Sequence, residues 1–208
     1  MISEVTNSTS NNLENKHLMN ISSLDKLLID ENYKENIIER SSFRNFPTGE
    51  VVSKKTVIQI LGKLENIKRQ ILIDDNILKI GFLDNENIFS SSKYPESQMY
   101  IFDNHEYTKV NLRKKIEEEN LFLQSEMHHS NLVIFFLWDL DKLNFVTHPH
   151  YFKEILFISG FLGQLASIIS INHDVKGTPF AGIIHDEWKL LSIDFPNYLP
   201  LFAYALTK

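Results

Sequence analysis

The pattern of hydrophobic and polar positions predicts helices and strands in mixed order along the chain. Apolar residues recur at helical spacing over 53–67 and 152–171, whereas 131–138 is an unbroken apolar run of strand length. Ser53 suits the N-cap of the first helix. The unbroken run is typical of a strand that is buried on both faces of a sheet. These elements predict a domain that contains both helices and strands.

Shorter patterns complete the predicted set of elements. The segment 70–82 predicts two short strands around a polar turn at 74–76, and 99–110 predicts a hairpin with its turn at 103–106. Helical spacing with charges on one face predicts a helix over 112–124. The remaining predicted elements are a loop and strand at 178–184, a short helix at 186–191 and a closing strand at 201–206.

The N-terminal part differs in composition from the rest of the chain. Residues 1–20 are rich in Asn, Ser and Thr, and they offer too little apolar surface to offset the entropy of ordering. We therefore expect a flexible arm at 1–20 and one folded domain over 21–208. Within that domain, 21–39 predicts one or two helices with an interruption near 30–32.

Charge and composition exclude several classes of function. The net charge of -6 and dispersed basic residues give no footprint for nucleic acid. The absence of Cys excludes disulfides, zinc-thiolate sites and a Cys nucleophile. The N-terminus shows no signal peptide, and we expect no membrane-spanning segment. The sequence therefore predicts a cytoplasmic protein that binds neither nucleic acid nor membrane.

Familiar sequence motifs for nucleotide binding, hydrolysis and metal binding are absent. The chain contains no GxGxxG, no GxxxxGK[ST] and no GxSxG. Two histidine pairs, His128 with His129 and His148 with His150, could in principle bind a metal beside acidic residues. Neither pair has the HExxH pattern, and loop histidines are commonly surface residues, so we expect no metal site.

Two clusters combine residues that suit an anion and a flat ring. Arg40, Ser41, Ser42, Arg44 and Phe46 place two guanidiniums and two hydroxyls at a helix-to-loop junction, where they could bind a phosphate and a ring carbonyl at once. The alternative is a solvated helix end. The second cluster lies near the end of the chain and is rich in small residues: Gly160, Gly163, Gln164, Gly177, Pro179, Phe180, Ala181 and Gly182. Small residues let main-chain amides approach an aromatic ring, and tight helix packing with an ordinary turn is the alternative.

Several segments resemble proteins of the nitroreductase superfamily. Residues 40–46 are similar to the family's Arg-Arg-Ser-x-Arg-x-Phe signature, with Ser41 in place of the second Arg. Residues 99–103, followed by His105, resemble the Leu-Tyr-x-Tyr-Asp hairpin of SagB-type dehydrogenases. The similarity continues from Asn131 to the end of the chain and is weak between 49 and 94.

The resemblance implies an α+β flavin mononucleotide (FMN)-binding fold, in which helices wrap a mostly antiparallel sheet and two copies form a homodimer. It implies that Arg40 and Arg44 bind the flavin phosphate, that Ser42 bonds the ring, and that the Gly182 amide lies near flavin N5. The other cofactor-binding residues that it implies are Ser41, Gln164, Pro179, Phe180 and Ala181. SagB-type oxidases convert thiazoline or oxazoline rings in ribosomally made peptides into thiazole or oxazole. The resemblance thus implies a peptide substrate and other peptide-modifying enzymes as partners.

The chain also departs from the family's pattern. The Lys-Tyr pair expected before the long helix falls on Val146 and Thr147, so the usual base is missing. We predict that His150 and Tyr151 replace it, because a His can accept a proton near neutral pH. Two alternatives stay open: a nicotinamide-dependent flavin reductase of dehydroalanine or dehydrobutyrine in a lanthipeptide, and a degenerate scaffold subunit without catalytic activity.

Overall fold

The computed structural model describes residues 17–20, 22, 37–38, 41–46, 49–90, 96–143, 149–191 and 197–208. Most of the predicted arm and of the helices at 21–39 lies outside these residues. Arg40, Val146, Thr147 and His148 lie outside them as well.

The described part of the chain forms a six-stranded sheet with the order β3-β2-β1-β4-β6-β5, in which neighbouring strands pair antiparallel. The strands are β1 (Leu78–Asp84), β2 (Gln98–Asp103), β3 (Glu106–Lys109), β4 (Leu132–Asp139), β5 (Lys176–Phe180) and β6 (Tyr198–Thr207). The α-helices are α1 (Lys54–Ile71), α2 (Glu118–Leu121), α3 (Tyr151–Ile171) and α4 (His185–Leu191). Two 3₁₀ turns, Asp75–Ile77 and Ser125–His129, complete the set.

Strand β4 is buried on both faces and separates two hydrophobic clusters. Its even-numbered residues, from Leu132 to Trp138, pack with α1 and α3, because successive side chains of a strand point to opposite faces. Its odd-numbered residues, from Val133 to Leu137, pack with residues of α2 and α4. Helices therefore cover both faces of the sheet, and the predicted α+β arrangement is confirmed.

The structure agrees with the predicted first helix and with the hairpin. Helix α1 begins after Ser53, whose side chain accepts a hydrogen bond from Thr56 N, and it extends four residues beyond the predicted end. The β2–β3 turn consists of Asn104 and His105, with φ angles of 53° and 61°. Two consecutive residues with positive φ are typical of a type I′ hairpin turn.

A buried carboxylate fixes this hairpin to helix α1. Glu65 is fully buried, and its Oε1 accepts hydrogen bonds from Asn104 N at 2.6 Å and Arg69 Nη2 at 2.8 Å. Its Oε2 accepts from His105 N at 3.1 Å. Lys68, one turn along the helix, is also buried and donates from Nζ to Leu78 O.

Two predicted elements are wrong. The segment 70–82 contains one strand rather than two, because helix α1 continues to Ile71 and Asp74 caps the 3₁₀ turn before β1. The segment 112–124 is helical only over Glu118–Leu121. Its residues bond instead to the C-terminal part of the chain, as in the bond from Arg113 N to Leu191 O. Tertiary pairing has therefore overridden the local periodicity.

By length and composition alone, helix α3 could cross a bilayer. This differs from the expectation that the chain contains no such segment. In the fold, 61% of its most apolar window is buried. The helix packs on strands β5 and β6 and on helix α1. It is therefore built into the hydrophobic core of this domain.

Candidate functional site

The predicted arginine and serine cluster lies against the open edge of strand β5. Phe43 N donates a hydrogen bond to Gly177 O at 3.0 Å, and Lys176 Nζ lies 5.2 Å from the centre of the Phe43 ring. Phe46 is buried in the second hydrophobic cluster and anchors the end of the segment. The two predicted clusters, more than a hundred residues apart in sequence, are therefore neighbours in the fold.

Strand β5 is suited to carry this contact because it ends the sheet. Gly177 O points away from β6, since it accepts from Phe43, and by the alternation of the ladder Pro179 faces the same open edge. Proline has no N–H to leave unpaired, so it is tolerated on an edge strand. A Cβ atom at Gly177 would overlap Ala205 O and the Tyr204 ring, so this position requires glycine for packing within the sheet.

Beyond β5 the chain bends at Ala181 and Gly182 and pairs with a distant segment. Leu123 N donates to Gly182 O, and Ile184 N donates to Leu121 O, both at 2.9 Å. Phe180 is buried against the Phe122 ring, at 5.5 Å between centroids, so its side chain belongs to the core. Ala181 is exposed and Gly182 is buried.

The Gln124 carboxamide occupies the space beside Gly182 in which any other residue would have its Cβ atom. A Cβ atom at Gly182 would overlap the Gln124 carboxamide, whose Oε1 would be its nearest neighbour. This Oε1 atom is buried and has no hydrogen-bond partner among the described residues. Sequence reasoning missed Gln124, and no local signal marks it, because only the pairing of 121–123 with 182–184 brings it there.

The hydroxyl and guanidinium groups of the first cluster are accessible. Ser41 and Ser42 are exposed, and the Arg44 side chain is 60% exposed. Arg44 Nη1 lies 3.9 Å from Glu126 Oε1, an ion pair that solvent weakens. The Arg44 guanidinium therefore keeps donors available for an added anion.

A wide cavity of about 920 Å³ opens beside the bend. Ile116, Phe122 and Leu123 contribute apolar side chains to its wall, and Ser125 and His129 contribute polar ones. None of the predicted flavin-binding residues lines this cavity. The cavity thus adds a mixed apolar and polar surface next to the bend, which the sequence did not predict.

The long helix meets β5 at one of its two glycines. A Cβ atom at Gly163 would lie 2.5 Å from the Phe202 ring and 3.5 Å from Pro179 Cβ, whereas one at Gly160 would meet nothing within 4 Å. Close packing thus explains Gly163, but not Gly160. The neighbouring Gln164 is exposed on α3, and no described contact joins it to the bend.

The predicted base, His150 with Tyr151, lies at the other end of α3. Tyr151 is twelve residues from Gly163, roughly 18 Å along a helix that rises about 1.5 Å per residue. His150 Nε2 is 4.0 Å from Glu154 Oε1, which is also 2.7 Å from His17 Nδ1. Burial, and next the Glu154 carboxylate, raises the pKa of the Tyr151 phenol. Within one chain, the fold therefore does not bring this pair to the bend.

No protein-family model matches the sequence, and no curated protein matches it. Solved structures do resemble the fold. A candidate nitroreductase from Anabaena variabilis superposes with a TM-score of 0.63 at 15% identity, over 85% of this chain and 38% of that chain. The chain thus spans well under half the length of that protein.

Two further structures resemble the chain over most of both lengths. One belongs to the E. coli microcin synthetase McbBCD complex with truncated pro-MccB17 bound, with a TM-score of 0.58 at 13% identity, over 100% of this chain and 84% of that chain. The other is a candidate nitroreductase from Exiguobacterium sibiricum in complex with FMN. It superposes with a TM-score of 0.51 at 15% identity, over 85% of this chain and 87% of that chain. Similarity at such low identity establishes the fold alone, and the chain therefore has a nitroreductase-like α+β fold.

Proposed function

We propose that the chain is an FMN-dependent oxidoreductase that oxidises thiazoline or oxazoline rings in a ribosomally synthesised peptide. One observation carries this proposal: residues 41–46 lie on the edge of β5, immediately before the bend at Ala181 and Gly182. The family resemblance assigns these two segments to the flavin phosphate and ring. The similarity to a chain of a peptide-modifying complex with a propeptide bound supports the peptide as substrate.

The described residues fit a bound flavin. The exposed Arg44 guanidinium suits a phosphate, because charge-assisted hydrogen bonds to phosphate are strong and directional. The exposed Ser42 hydroxyl is available to bond the ring. At the bend, the main-chain N–H groups of Ala181 and Gly182 donate to no other described residue. They are donors available to the heteroatoms of a ring. Arg40, which the resemblance also assigns to the phosphate, stays a prediction.

Each group of this site has a role in the proposed reaction. Bound FMN supplies a two-electron acceptor, which the chain itself lacks. Arg44 would hold the phosphate end, and Ser42 would bond the ring and so fix its position. The Gly182 N–H would stabilise negative charge that develops on the ring, as donors that are fixed in advance do without reorganising. Gln164, Pro179 and Phe180 stay predictions, although the Phe180 side chain lies in the core.

A second copy of the chain is part of the proposal. Phe152, Leu156 and Phe157 form an apolar strip on α3 and are 51%, 46% and 56% exposed. An exposed apolar strip of this kind is typical of an interface. We propose a homodimer, in which His150 and Tyr151 of one copy act as the base at the flavin site of the other copy. Size-exclusion chromatography with light scattering tests it: a monomeric full chain would refute the homodimer, and Phe157→Glu should dissociate the pair.

Flavin titration tests the cofactor. We expect the purified chain to bind FMN, and Arg44→Ala to weaken FMN binding by about tenfold to a hundredfold, since a hydrogen bond to a charged group is worth about 1.5–3 kcal/mol. Riboflavin lacks the phosphate, so its affinity should be the same for both proteins. Arg113→Ala, at another exposed arginine, is the matched control.

Turnover tests the reaction. A peptide that carries an azoline should lose two hydrogen atoms per ring when it is incubated with the flavin-loaded chain and oxygen, which mass spectrometry detects. A colourless protein that cannot be reconstituted with FMN would refute the oxidoreductase and favour a scaffold. A yellow protein that leaves azolines unchanged would refute only the substrate.

A further inference from the structure

The cavity beside the bend shares its wall with both parts of the proposed flavin site. Leu123 lines the cavity, and its main-chain N donates to Gly182 O at 2.9 Å. Glu126 belongs to the 3₁₀ turn that continues this wall, and its Oε1 atom lies 3.9 Å from Arg44 Nη1. The segment 122–129 therefore contacts the bend, contacts the arginine proposed for the phosphate, and lines the cavity.

The wall of the cavity combines apolar and hydrogen-bonding groups. Ile116 and Phe122 are buried in the second hydrophobic cluster, whereas the Leu123 side chain is 74% exposed. An apolar side chain this exposed gains free energy when a ligand covers it. Ser125 and His129 are exposed and can form hydrogen bonds with amide groups. The wall therefore suits a ligand that carries both apolar groups and amides.

The charge of the wall is negative. Glu117 lines the cavity and is exposed, and Glu118 and Glu119 follow it in the sequence. The described residues that line the cavity include no lysine and no arginine. Because like charges repel and opposite charges attract, the wall favours a ligand with a cationic group over an anionic one. The phosphate of a flavin is therefore unsuited to this cavity.

The cavity is also larger than a single azoline ring. Its volume of about 920 Å³ lies near the upper end of the range of roughly 300–1,000 Å³ for pockets that hold drug-sized ligands. One five-membered ring would leave much of the wall uncovered. An extended peptide segment supplies apolar side chains, amide groups and, where it contains a lysine or arginine, the positive charge that the wall favours.

We propose that this cavity binds the peptide segment that flanks the azoline ring, and that it selects basic over acidic residues in that segment. The inference rests on the proposed function, because it takes the peptide as the substrate of the flavin site. Leu123 packs against the apolar part of the peptide, and Ser125 and His129 bond its amides. Glu117 attracts its positive charge. The ring itself lies outside the cavity, at the adjoining bend.

Binding measurements on four proteins test this role. The proteins are the wild-type chain, Leu123→Asn, Glu117→Gln and the control Leu190→Asn, which makes the same change at an exposed leucine that does not line the cavity. Two ligands are short dye-labelled peptides with a central thiazole, which is flanked by lysine in one peptide and by glutamate in the other. A third ligand, a thiazole carboxamide without flanking residues, is measured by competition.

The measurements keep binding separate from turnover and from folding. Thiazole is the oxidised ring, so all three ligands bind without being consumed. Fluorescence anisotropy gives each Kd, thermal unfolding reports folding, and titration with FMN reports the flavin site.

We expect Leu123→Asn to weaken binding of the lysine-flanked peptide by about tenfold, because this peptide covers an apolar side chain in the wild-type complex. The unflanked carboxamide should bind equally weakly to both proteins. The wild-type chain should prefer the lysine-flanked peptide to the glutamate-flanked one by about tenfold, and Glu117→Gln should reduce this ratio. Leu190→Asn should behave as wild type. All variants should keep the wild-type Tm and FMN affinity, since the replaced side chains are exposed.

The outcomes separate this inference from the proposed function. Equal peptide affinity in the wild-type chain and Leu123→Asn, or an equal loss in Leu190→Asn, would overturn the cavity as the peptide site, whatever the FMN titration shows. Loss of a dimer in Leu123→Asn with unchanged peptide binding would assign the wall to a contact between copies instead. Absence of FMN binding by the wild-type chain would overturn the proposed function, whereas peptide binding that depends on Leu123 would still support the peptide site.

Discussion

Replacement of Glu65 should destabilise the whole domain, although the residue is remote from the proposed site. Glu65→Ala removes the acceptor of the Asn104 and His105 amides, the two positive-φ residues of the β2–β3 turn. It also removes the partner of Arg69 and leaves the buried Lys68 ammonium with less compensating charge. Glu65 is fully buried, whereas Asn104 and His105 are exposed, so water replaces only part of these bonds.

The expected loss can be worked from these contacts. Asn104 and His105 are exposed, so the loss of each hydrogen bond to the carboxylate costs about 1.5 kcal/mol, the lower end of the range for a bond to a charged group. The Arg69 side chain is 35% exposed, so the loss of its ion pair with Glu65 adds only about 1 kcal/mol. We therefore expect Glu65→Ala to lower the free energy of unfolding by about 4 kcal/mol, which corresponds to a fall in Tm of about 12 °C for a domain of this size. Glu65→Gln keeps one acceptor oxygen and should lose about 1–3 kcal/mol.

Urea unfolding and amide hydrogen exchange check this expectation. The Asn104 and His105 amides should be protected in the wild-type chain and exchange quickly in Glu65→Ala. Glu106→Ala, an exposed glutamate of the same hairpin, is the matched control and should stay within about 0.5 kcal/mol of wild type. A change below about 1 kcal/mol in Glu65→Ala would refute the assignment of Glu65 as the anchor of the hairpin.

Three further predictions concern stability. Ser159→Ala should lower the free energy of unfolding by about 1–3 kcal/mol in urea titrations, because Trp138 Nε1 donates to Ser159 Oγ at 2.7 Å in the core. Burial raises the pKa of Asp84 above 3.8, so its stabilising contribution is complete below about pH 4 and is lost as the pH rises through the raised value. The unfolding free energy of wild type minus that of Asp84→Asn should therefore fall from pH 4 to pH 8, and a constant difference would contradict this. Gly160→Ala should raise stability by about 0.5–1 kcal/mol, whereas Gly163→Ala should lower it by about 1–2 kcal/mol because its Cβ overlaps an aromatic ring, and calorimetry should show opposite signs.

The sequence was sufficient to predict an element where its local pattern of apolar residues agrees with its burial in the fold. Helix α1 follows from its apolar spacing and the Ser53 cap, and β4 follows from its unbroken apolar run. The predicted hairpin at 99–110 also formed, since the polar residues 103–106 favour a tight turn. In each case the signal lies within a dozen or so neighbouring residues, which is the range over which side-chain periodicity acts.

The sequence failed where pairing over long distances decides the conformation. Within the predicted helix at 112–124, residues 121–123 pair with 182–184 and Arg113 N bonds to Leu191 O. These long-range contacts outweigh a weak helical preference, and only Glu118–Leu121 is helical. Gly163 shows the same limit, because only the fold reveals that Phe202 fills the space beside it.

The residue types of the proposed site were determined by the sequence, but their relation was decided by the tertiary structure. Arg44 and Gly182 could be singled out from composition and family resemblance. The bond from Phe43 to Gly177, the position of Gln124 on Gly182 and the distance of Tyr151 from the bend depend on the strand order of the sheet. Strand order results from burying two hydrophobic clusters at once, and that is a property of the whole chain rather than of any segment.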